Sequence, residues 1–216
     1  MKTDTQLQQN VIAELKWEPS VNAAQIEVEV QDGVVTLAGH VGSYAEKLDA
    51  ERAAQRVCGL KALAIEMDVK LKGLSIRTDF DIAQSVENIL EWTTYLPPNR
   101  VKVLVERGWV TLSGEVDWEY QRQAAAGAVR NLMGVTGLSE QIGIKQHVSS
   151  TAVKSDIEAA LKRRAKDDGH KISVEVQGAD VTLTGKVPNR FELDLAKNAA
   201  WNTSGVRNVV DHMTFT

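Results

Sequence analysis

A five-residue pattern that occurs three times is the feature that most constrains how this chain can fold. Val35-Thr36-Leu37-Ala38-Gly39 returns as Val110-Thr111-Leu112-Ser113-Gly114 and again as Val181-Thr182-Leu183-Thr184-Gly185. In each copy a second glycine follows 20 residues after the first, at Gly59, Gly134 and Gly205. Repetition at a fixed spacing predicts tandem copies of one small domain. We predict domains at residues 1–73, 76–147 and 149–216, joined by short linkers near residues 72–74 and 146–148.

Each copy opens with a helix followed by a β-hairpin. Apolar residues four apart indicate a helix over residues 3–17, and the other copies repeat this spacing. The apolar residues are Leu7, Val11 and Leu15, then Ile82, Val86 and Leu90, then Val153, Ile157 and Leu161. Trp17 and Trp92 end the first two helices, where we expect a structural role under the sheet or between repeats. Two alternating runs joined by a glycine-containing turn predict the hairpin, and Ala179 predicts a different turn in the third copy.

The second helix of each copy has an inner face made largely of alanine. Small residues of this kind let a helix lie close against a sheet, and we expect Ala50, Ala125 and Ala196 to be buried. The helices start at Ser43, near Asp117 or Trp118, and at Asn189. We expect Gly59, Gly134 and Gly205 to form left-handed C-caps. The single Cys58 is expected to be buried on its helix.

A third alternating run completes each copy, so the order is helix, strand, strand, helix, strand. Because a helix joins the second and third strands, these two can run parallel, while the first pairs antiparallel within the hairpin. The sequence therefore predicts an α+β fold of three tandem αββαβ units. Each unit has a small mixed three-stranded sheet with two helices on one face. We expect two sets of glycines to be structural: Gly39, Gly114 and Gly185 in the repeated pattern, and Gly59, Gly134 and Gly205 after the second helices.

Composition and charge argue against two broad classes of protein. The chain is 43% hydrophobic and 25% charged, which is typical of globular proteins, and its net charge of −4 differs from the basic footprint of a nucleic-acid-binding protein. No apolar run approaches the roughly 20 residues that span a bilayer, and the first residues lack the apolar core of a signal peptide. As written, the chain is expected in the cytoplasm. A signal peptide removed upstream would place it in the periplasm instead.

No arrangement of residues in the sequence indicates catalysis, a cofactor or a metal. The four histidines do not recur at equivalent positions, and none lies three or four residues from another, so the convergence of a zinc or catalytic site is missing. Asp167-Asp168-Gly169 lacks the alternating oxygen ligands of a calcium loop and fits a polar turn. We therefore predict a protein that is not an enzyme and uses no cofactor.

Two surface features are candidates for binding a partner. Trp118 and Tyr120 open the second helix of the middle copy beside Arg122, and the helical pattern does not require them in the core. An aromatic pair next to a cation suits a lipid interface, although such pairs also occur on ordinary surfaces and between domains. A basic run would attract anionic headgroups or, alternatively, offset the dipole at the end of its helix. Its residues are Lys162, Arg163, Arg164 and Lys166.

The repeated hairpin pattern, the alanine-faced helix and the Gly-Val that opens the last strand (Gly134-Val135, Gly205-Val206) resemble the BON family of bacterial osmotically inducible and nodulation proteins. The first copy departs from the family pattern at Leu60 and the third at Ala179. The resemblance implies a non-catalytic binding module. Members include envelope-stress proteins, phospholipid-associated outer-membrane proteins, secretins, channels and a cytoplasmic potassium-binding protein.

The resemblance and the residues lead to one hypothesis and one alternative. The leading hypothesis is a protein associated with osmotic or envelope stress that binds phospholipid surfaces or envelope proteins, with a monomer favoured. The alternative is a cytoplasmic sensor of potassium or of a small ligand. Such an ion site would be built from backbone carbonyls and carboxylates, which leave no motif in the sequence.

Overall fold

The computed structural model describes residues 2–71, 73, 76–145, 150–164 and 172–215, and for residues 150, 151 and 162–164 it describes the backbone alone. The first repeat consists of α1 (Asp4–Trp17), β1 (Ile26–Gln31), β2 (Val34–Val41), α2 (Tyr44–Gln55) and β3 (Ala62–Val69). The second consists of α3 (Asp79–Trp92), β4 (Val101–Glu106), β5 (Trp109–Val116), α4 (Glu119–Arg130) and β6 (Gly137–Ile144). The third consists of α5 (Ser150–Arg164), β7 (Ser173–Gln177), β8 (Asp180–Val187), α6 (Arg190–Trp201) and β9 (Asn208–Phe215). The predicted αββαβ order is confirmed in all three repeats.

The chain divides into two compact units. One contains residues 1–89, 103–111 and 127–139, and the other contains residues 90–102, 112–126 and 140–216. The three domain boundaries inferred from the sequence stay a prediction. The proposed linkers near 72–74 and 146–148 lie largely outside the described residues, as does the polar turn expected at 167–169.

Each repeat folds around a three-stranded sheet whose central strand is the second strand of the hairpin. The strand orders are β1-β2-β3, β4-β5-β6 and β7-β8-β9. In the first repeat β1 pairs antiparallel with β2, with Val28 opposite Leu37, and β2 pairs parallel with β3, with Gly39 opposite Met67. The third repeat has the same arrangement of directions. The mixed sheet predicted from the helix between the second and third strands is therefore confirmed.

The core of each repeat lies between the sheet and its two helices. The expected helix face in α1 is buried, with Leu7, Val11 and Leu15 at most 2% exposed. The alanine faces of the second helices are also buried, since Ala50 and Ala125 are 0% exposed and Ala196 is 1% exposed. Alanine at these positions brings the helix backbone close to the sheet, which is the packing that the sequence predicted.

The first two hairpin turns are each held by an acidic residue at the start of the first helix of their repeat. Asp32 and Gly33 both have positive φ, as a two-residue type I′ turn requires, and the Asp4 carboxylate accepts their backbone N–H groups at 2.8 and 3.0 Å. Asp79 accepts the equivalent two N–H groups of the second turn, both at 2.8 Å. The third turn differs, as predicted: Gly178 has a φ of 65°, whereas Ala179 is outside the positive-φ region.

The region after each second helix departs from the sequence prediction. Gly59, Gly134 and Gly205 have φ of 103°, 94° and 82°, but each lies four residues beyond the last residue of its helix, so none is the C-cap. The C-cap of α2 is Arg56. Cys58 is exposed in the turn that follows, and its predicted burial was wrong because the helical periodicity ends at Gln55.

Candidate functional site

The start of α4 is built differently from the equivalent start in the first repeat. In the first repeat the Ser43 hydroxyl accepts the Glu46 N–H at 3.1 Å, and the Glu46 carboxylate accepts the Gly42 N–H at 2.7 Å. Trp118 stands where Ser43 does, and an indole has no acceptor to offer. The Gln121 side chain closes this end of α4 instead, because its Oε1 accepts the N–H groups of Asp117 at 3.0 Å and Trp118 at 3.1 Å.

Gln121 also fixes the connector that precedes β4. In the first repeat the second oxygen of Glu46 accepts the backbone N–H of Asn22 at 2.8 Å. The position equivalent to Asn22 is Pro97, which has no N–H to donate. Here the Gln121 amide donates from Nε2 to the Tyr95 carbonyl at 3.0 Å. Because Pro97 offers no N–H to a carboxylate, the second repeat has an amide at the position of Glu46, and this amide donates instead. The bond connects the Tyr95 backbone to the start of α4.

Three aromatic side chains meet where this bond joins the Tyr95 backbone to the start of α4, and we call them the aromatic cluster: Tyr95, Trp118 and Tyr120. The Tyr95 and Tyr120 rings meet edge to face, with centroids 5.9 Å apart and an interplanar angle of 89°, which is a favourable geometry for two π-systems. The Trp118 and Tyr120 centroids are 6.3 Å apart. Tyr95 is 65% exposed and Tyr120 47%, whereas Trp118 is half-buried. The cluster is therefore preorganised and open to solvent on its tyrosine side.

Trp92 is a further exposed aromatic residue close to the cluster in the chain. It is the last residue of α3 and is 86% exposed. Tyr95 lies three positions further along the chain, so the Cα atoms of the two residues are at most about 11 Å apart. The equivalent Trp17 is 82% exposed. The expected place under the sheet was wrong for these two tryptophans, because each lies two residues beyond the last buried residue of its helix, about 200° around the axis from the core face. A role between repeats stays a prediction.

Arg122 lies one turn into α4 and is bound within its own helix. Its Nη2 contacts Glu119 Oε1 at 2.8 Å, and Glu119 is only 5% exposed. The Gln123 amide donates to the same oxygen at 3.1 Å. Among the described residues, Glu119 Oε2 and Arg122 Nε are buried without a hydrogen-bond partner. The carboxylate matches the guanidinium charge, so Arg122 does not give the aromatic cluster a net positive charge.

The other candidate residues are only partly described. Lys162, Arg163 and Arg164 fall in the last turn of α5, but their side chains, and the whole of Lys166, lie outside the described residues. Within the described part of the chain, no group of three or more His, Cys, Asp or Glu side chains is arranged to hold a metal ion. No helix in that part is long and apolar enough to cross a membrane.

A cleft lies beside the aromatic cluster, in the same compact unit of the chain. This cleft was not predicted from the sequence. Its volume is about 320 Å³, and Trp118 forms part of its wall. The rest of the lining includes Asp156 from α5, Ala199 from α6, and Asn202 and Ser204 just beyond the end of α6. All of these residues belong to the unit formed by residues 90–102, 112–126 and 140–216. No sequence signal pointed to the cleft, because its residues are far apart in the chain and form no motif.

Comparison with protein families assigns the repeats to one class. The BON domain model matches residues 3–70, 78–146 and 149–216, so each αββαβ unit is one copy. The chain belongs to the BON family, and the resemblance read from the glycine pattern is confirmed. BON domains are a non-catalytic, binding-type family, and no catalytic family is indicated.

Comparison with solved structures gives only distant similarity. CdsD, a structural protein of the type III secretion system of Chlamydia trachomatis, is 14% identical with a TM-score of 0.28, over 96% of this chain and 91% of that one. The periplasmic domain of the type III secretion inner membrane protein PrgH from S. typhimurium is 14% identical with a TM-score of 0.24, over 90% of this chain and 95% of that one. Scores this low support no functional inference. A comparison with curated protein sequences finds no significant match.

Proposed function

We propose that this protein is a non-catalytic, stress-associated binding protein that docks reversibly on phospholipid surfaces through the aromatic cluster and Trp92. The observation that carries the proposal is the exposure of Trp92, Tyr95 and Tyr120 in one short region, at 86%, 65% and 47%. Tyrosine and tryptophan have an apolar ring and a polar edge, which suits the headgroup layer of a bilayer. Membership of a binding-type family supports this class of function.

Charge favours neutral over anionic phospholipid for this surface. The chain has a net charge of −4, and the Arg122 guanidinium next to the cluster is matched by Glu119 at 2.8 Å. Attraction to an anionic membrane needs unmatched cations, each contributing about 1 kcal/mol near the surface. Burial of aromatic rings needs none. We therefore expect docking on phosphatidylcholine vesicles that depends little on salt.

Vesicle flotation with matched variants tests the proposal. The test variant is Trp92→Ala/Tyr95→Ala/Tyr120→Ala, which removes the exposed rings. The control variant is Trp17→Ala/Phe191→Ala. It removes rings that are 82% and 69% exposed, at the positions equivalent to Trp92 and Tyr120 in the other repeats. We expect the wild type and the control to float with phosphatidylcholine vesicles, and the triple variant to bind at least about tenfold more weakly. Circular dichroism should show the native fold in both variants, since the deleted side chains are exposed.

Two results would contradict the proposal. Flotation of the triple variant at the wild-type level would remove this surface from any role in docking. Absence of wild-type flotation with every vesicle composition would exclude lipid and leave a protein partner as the occupant of the aromatic surface.

A further inference from the structure

We infer that the cleft next to the aromatic cluster binds a small organic ammonium ion, of the kind carried by choline and ethanolamine headgroups. The inference rests on the proposed function, because it assigns the headgroup chemistry that the docked protein recognises. It depends on three features of the cleft: its size, the sign of its charge, and its aromatic wall.

The volume of the cleft suits a small group. The cleft measures about 320 Å³. Protein sites for small molecules run from about 300 to 1,000 Å³, and one water molecule occupies about 30 Å³ in the liquid. The cleft therefore accommodates a headgroup-sized ligand with a few waters.

The described part of the lining carries negative charge and no positive charge, which favours a cation. Among the described residues that line the cleft, Asp156 is the one with a charged side chain, and no described cation is paired with it. The neighbouring acidic residue Glu158 is instead 3.9 Å from Lys154 on the same helix. The C-terminal end of α6 also borders the cleft, through Asn202 and Ser204. A helix carries partial negative charge at that end, so the carboxylate and the helix dipole act in the same direction.

The wall chemistry favours an organic ammonium over a metal ion or a bare alkali cation. Trp118 supplies an indole, which is the side chain that attracts ammonium groups best through its π-face. Ala160 and Ala199 add small apolar surface that suits methyl or methylene groups. The Thr203 hydroxyl donates to the Ala199 carbonyl at 3.1 Å, so its remaining capacity towards the cleft is as an acceptor. A metal would need several converging oxygen or nitrogen ligands, whereas one carboxylate and one aromatic face suffice for an ammonium group.

The position of Trp118 links the cleft to membrane docking. Trp118 lines the cleft and also packs beside Tyr120 in the exposed aromatic cluster, with ring centroids 6.3 Å apart and planes tilted by 33°. A headgroup in the cleft would therefore lie beside the rings that we place at the bilayer surface. This arrangement predicts selectivity for phospholipids that carry an ammonium group over those that carry glycerol.

Free ligand and vesicles form the two arms of the test. In the first arm, choline chloride is titrated into the ¹⁵N-labelled full chain, with sodium chloride at equal ionic strength as the reference. We expect choline alone to shift the Trp118 indole signal and the amides of Asp156, Asn202 and Ser204. Asp156→Asn should weaken choline binding at least about tenfold, whereas the control Glu158→Gln, on the same helix but outside the cleft lining, should leave it unchanged. Trp118→Phe should retain part of the binding that Trp118→Ala loses, which separates loss of the aromatic face from loss of the fold.

In the second arm, vesicles of phosphatidylcholine are compared with vesicles of phosphatidylglycerol. We expect Asp156→Asn to reduce flotation with the former and to have no effect with the latter. Choline binding without vesicle binding would uphold the cleft and overturn the proposed function. Vesicle binding with no choline shifts, or with equal flotation of Asp156→Asn and wild type on phosphatidylcholine, would uphold the proposed function and overturn the cleft. Shifts that sodium chloride reproduces would also overturn it.

Discussion

At the scale of single residues, the glycine of each repeated pattern is required by a close backbone approach. Gly39 and Gly114 have φ of 122° and 131°, in a region that L-residues rarely adopt. A Cβ at Gly39 would overlap the carbonyl oxygen of Gln25, and one at Gly114 would overlap that of Arg100. The repeated spacing revealed that these glycines matter. The reason lies in the residue just before the first strand, which the sequence pattern does not include.

Substitution of Gly114 should therefore be much more costly than substitution of another glycine in the same repeat. We expect Gly114→Ala to lower the free energy of unfolding by about 2–6 kcal/mol, from backbone strain and overlap together. Gly127 lies in α4, where a Cβ has no neighbour within 4 Å, so Gly127→Ala should raise stability by about 0.5–1 kcal/mol. Urea unfolding of the two variants measures both values. Similar stabilities for the two would be inconsistent with the close approach to Arg100.

At the scale of secondary-structure elements, the spacing of apolar residues predicted the helices and strands, whereas the side-chain hydrogen bonds that join them could not be predicted. The apolar spacing predicted each helix and strand, because burial of one face is a regular property of the chain. The hydrogen bonds by which Gln121 closes the start of α4 could not be predicted from the local sequence, because the donated bond to Tyr95 depends on Pro97 in a distant connector. Likewise, the bonds from Asp4 to the hairpin turn join residues 28 and 29 positions apart, and no local pattern marks them.

One contact between elements predicts a pH dependence of stability. Arg56, the C-cap of α2, bonds to Glu14 and Glu18 at the end of α1, each at 2.8 Å. The hydrogen bond from Arg56 lowers the pKa of the Glu18 carboxyl, and the Ser20 hydroxyl adds to this effect. A carboxyl whose pKa is lowered by folding stabilises the native state above its unfolded pKa. That contribution is lost as the pH falls through the lowered folded value.

Thermal unfolding across pH tests this contact through Arg56→Gln. At about pH 7 the variant should have a slightly lower Tm than the wild type, and the difference should shrink on acidification and vanish once Glu18 is protonated in both states. Arg52→Gln is the control, because Arg52 pairs with Asp49 within α2 at 3.1 Å and does not reach α1. Its effect on Tm should be smaller. A Tm difference for Arg56→Gln that is the same at neutral and strongly acid pH would contradict the assignment.

At the scale of the whole molecule, the number of repeats and their family could be predicted from the sequence, whereas the binding surface could be predicted only in part. Trp118 and Tyr120 stood out because the helical face did not need them. No pattern in the sequence marks Tyr95, because its place in the cluster comes from the bond that Gln121 makes to its carbonyl. The exposure of Trp92 follows from its position about 200° around the helix axis from the core face, which contradicts the expected place under the sheet.

The most direct test of membrane docking is the attenuation of individual tryptophan signals by a spin label in the lipid headgroup layer. The chain has five tryptophans, which give distinct indole N–H resonances in the ¹⁵N-labelled protein bound to phosphatidylcholine bicelles. We expect the signals of Trp92 and Trp118 to be attenuated first, while those of Trp17 and Trp109 keep their intensity although both side chains are at least 50% exposed. Uniform attenuation, or stronger attenuation of Trp17 and Trp109, would contradict docking through the aromatic cluster.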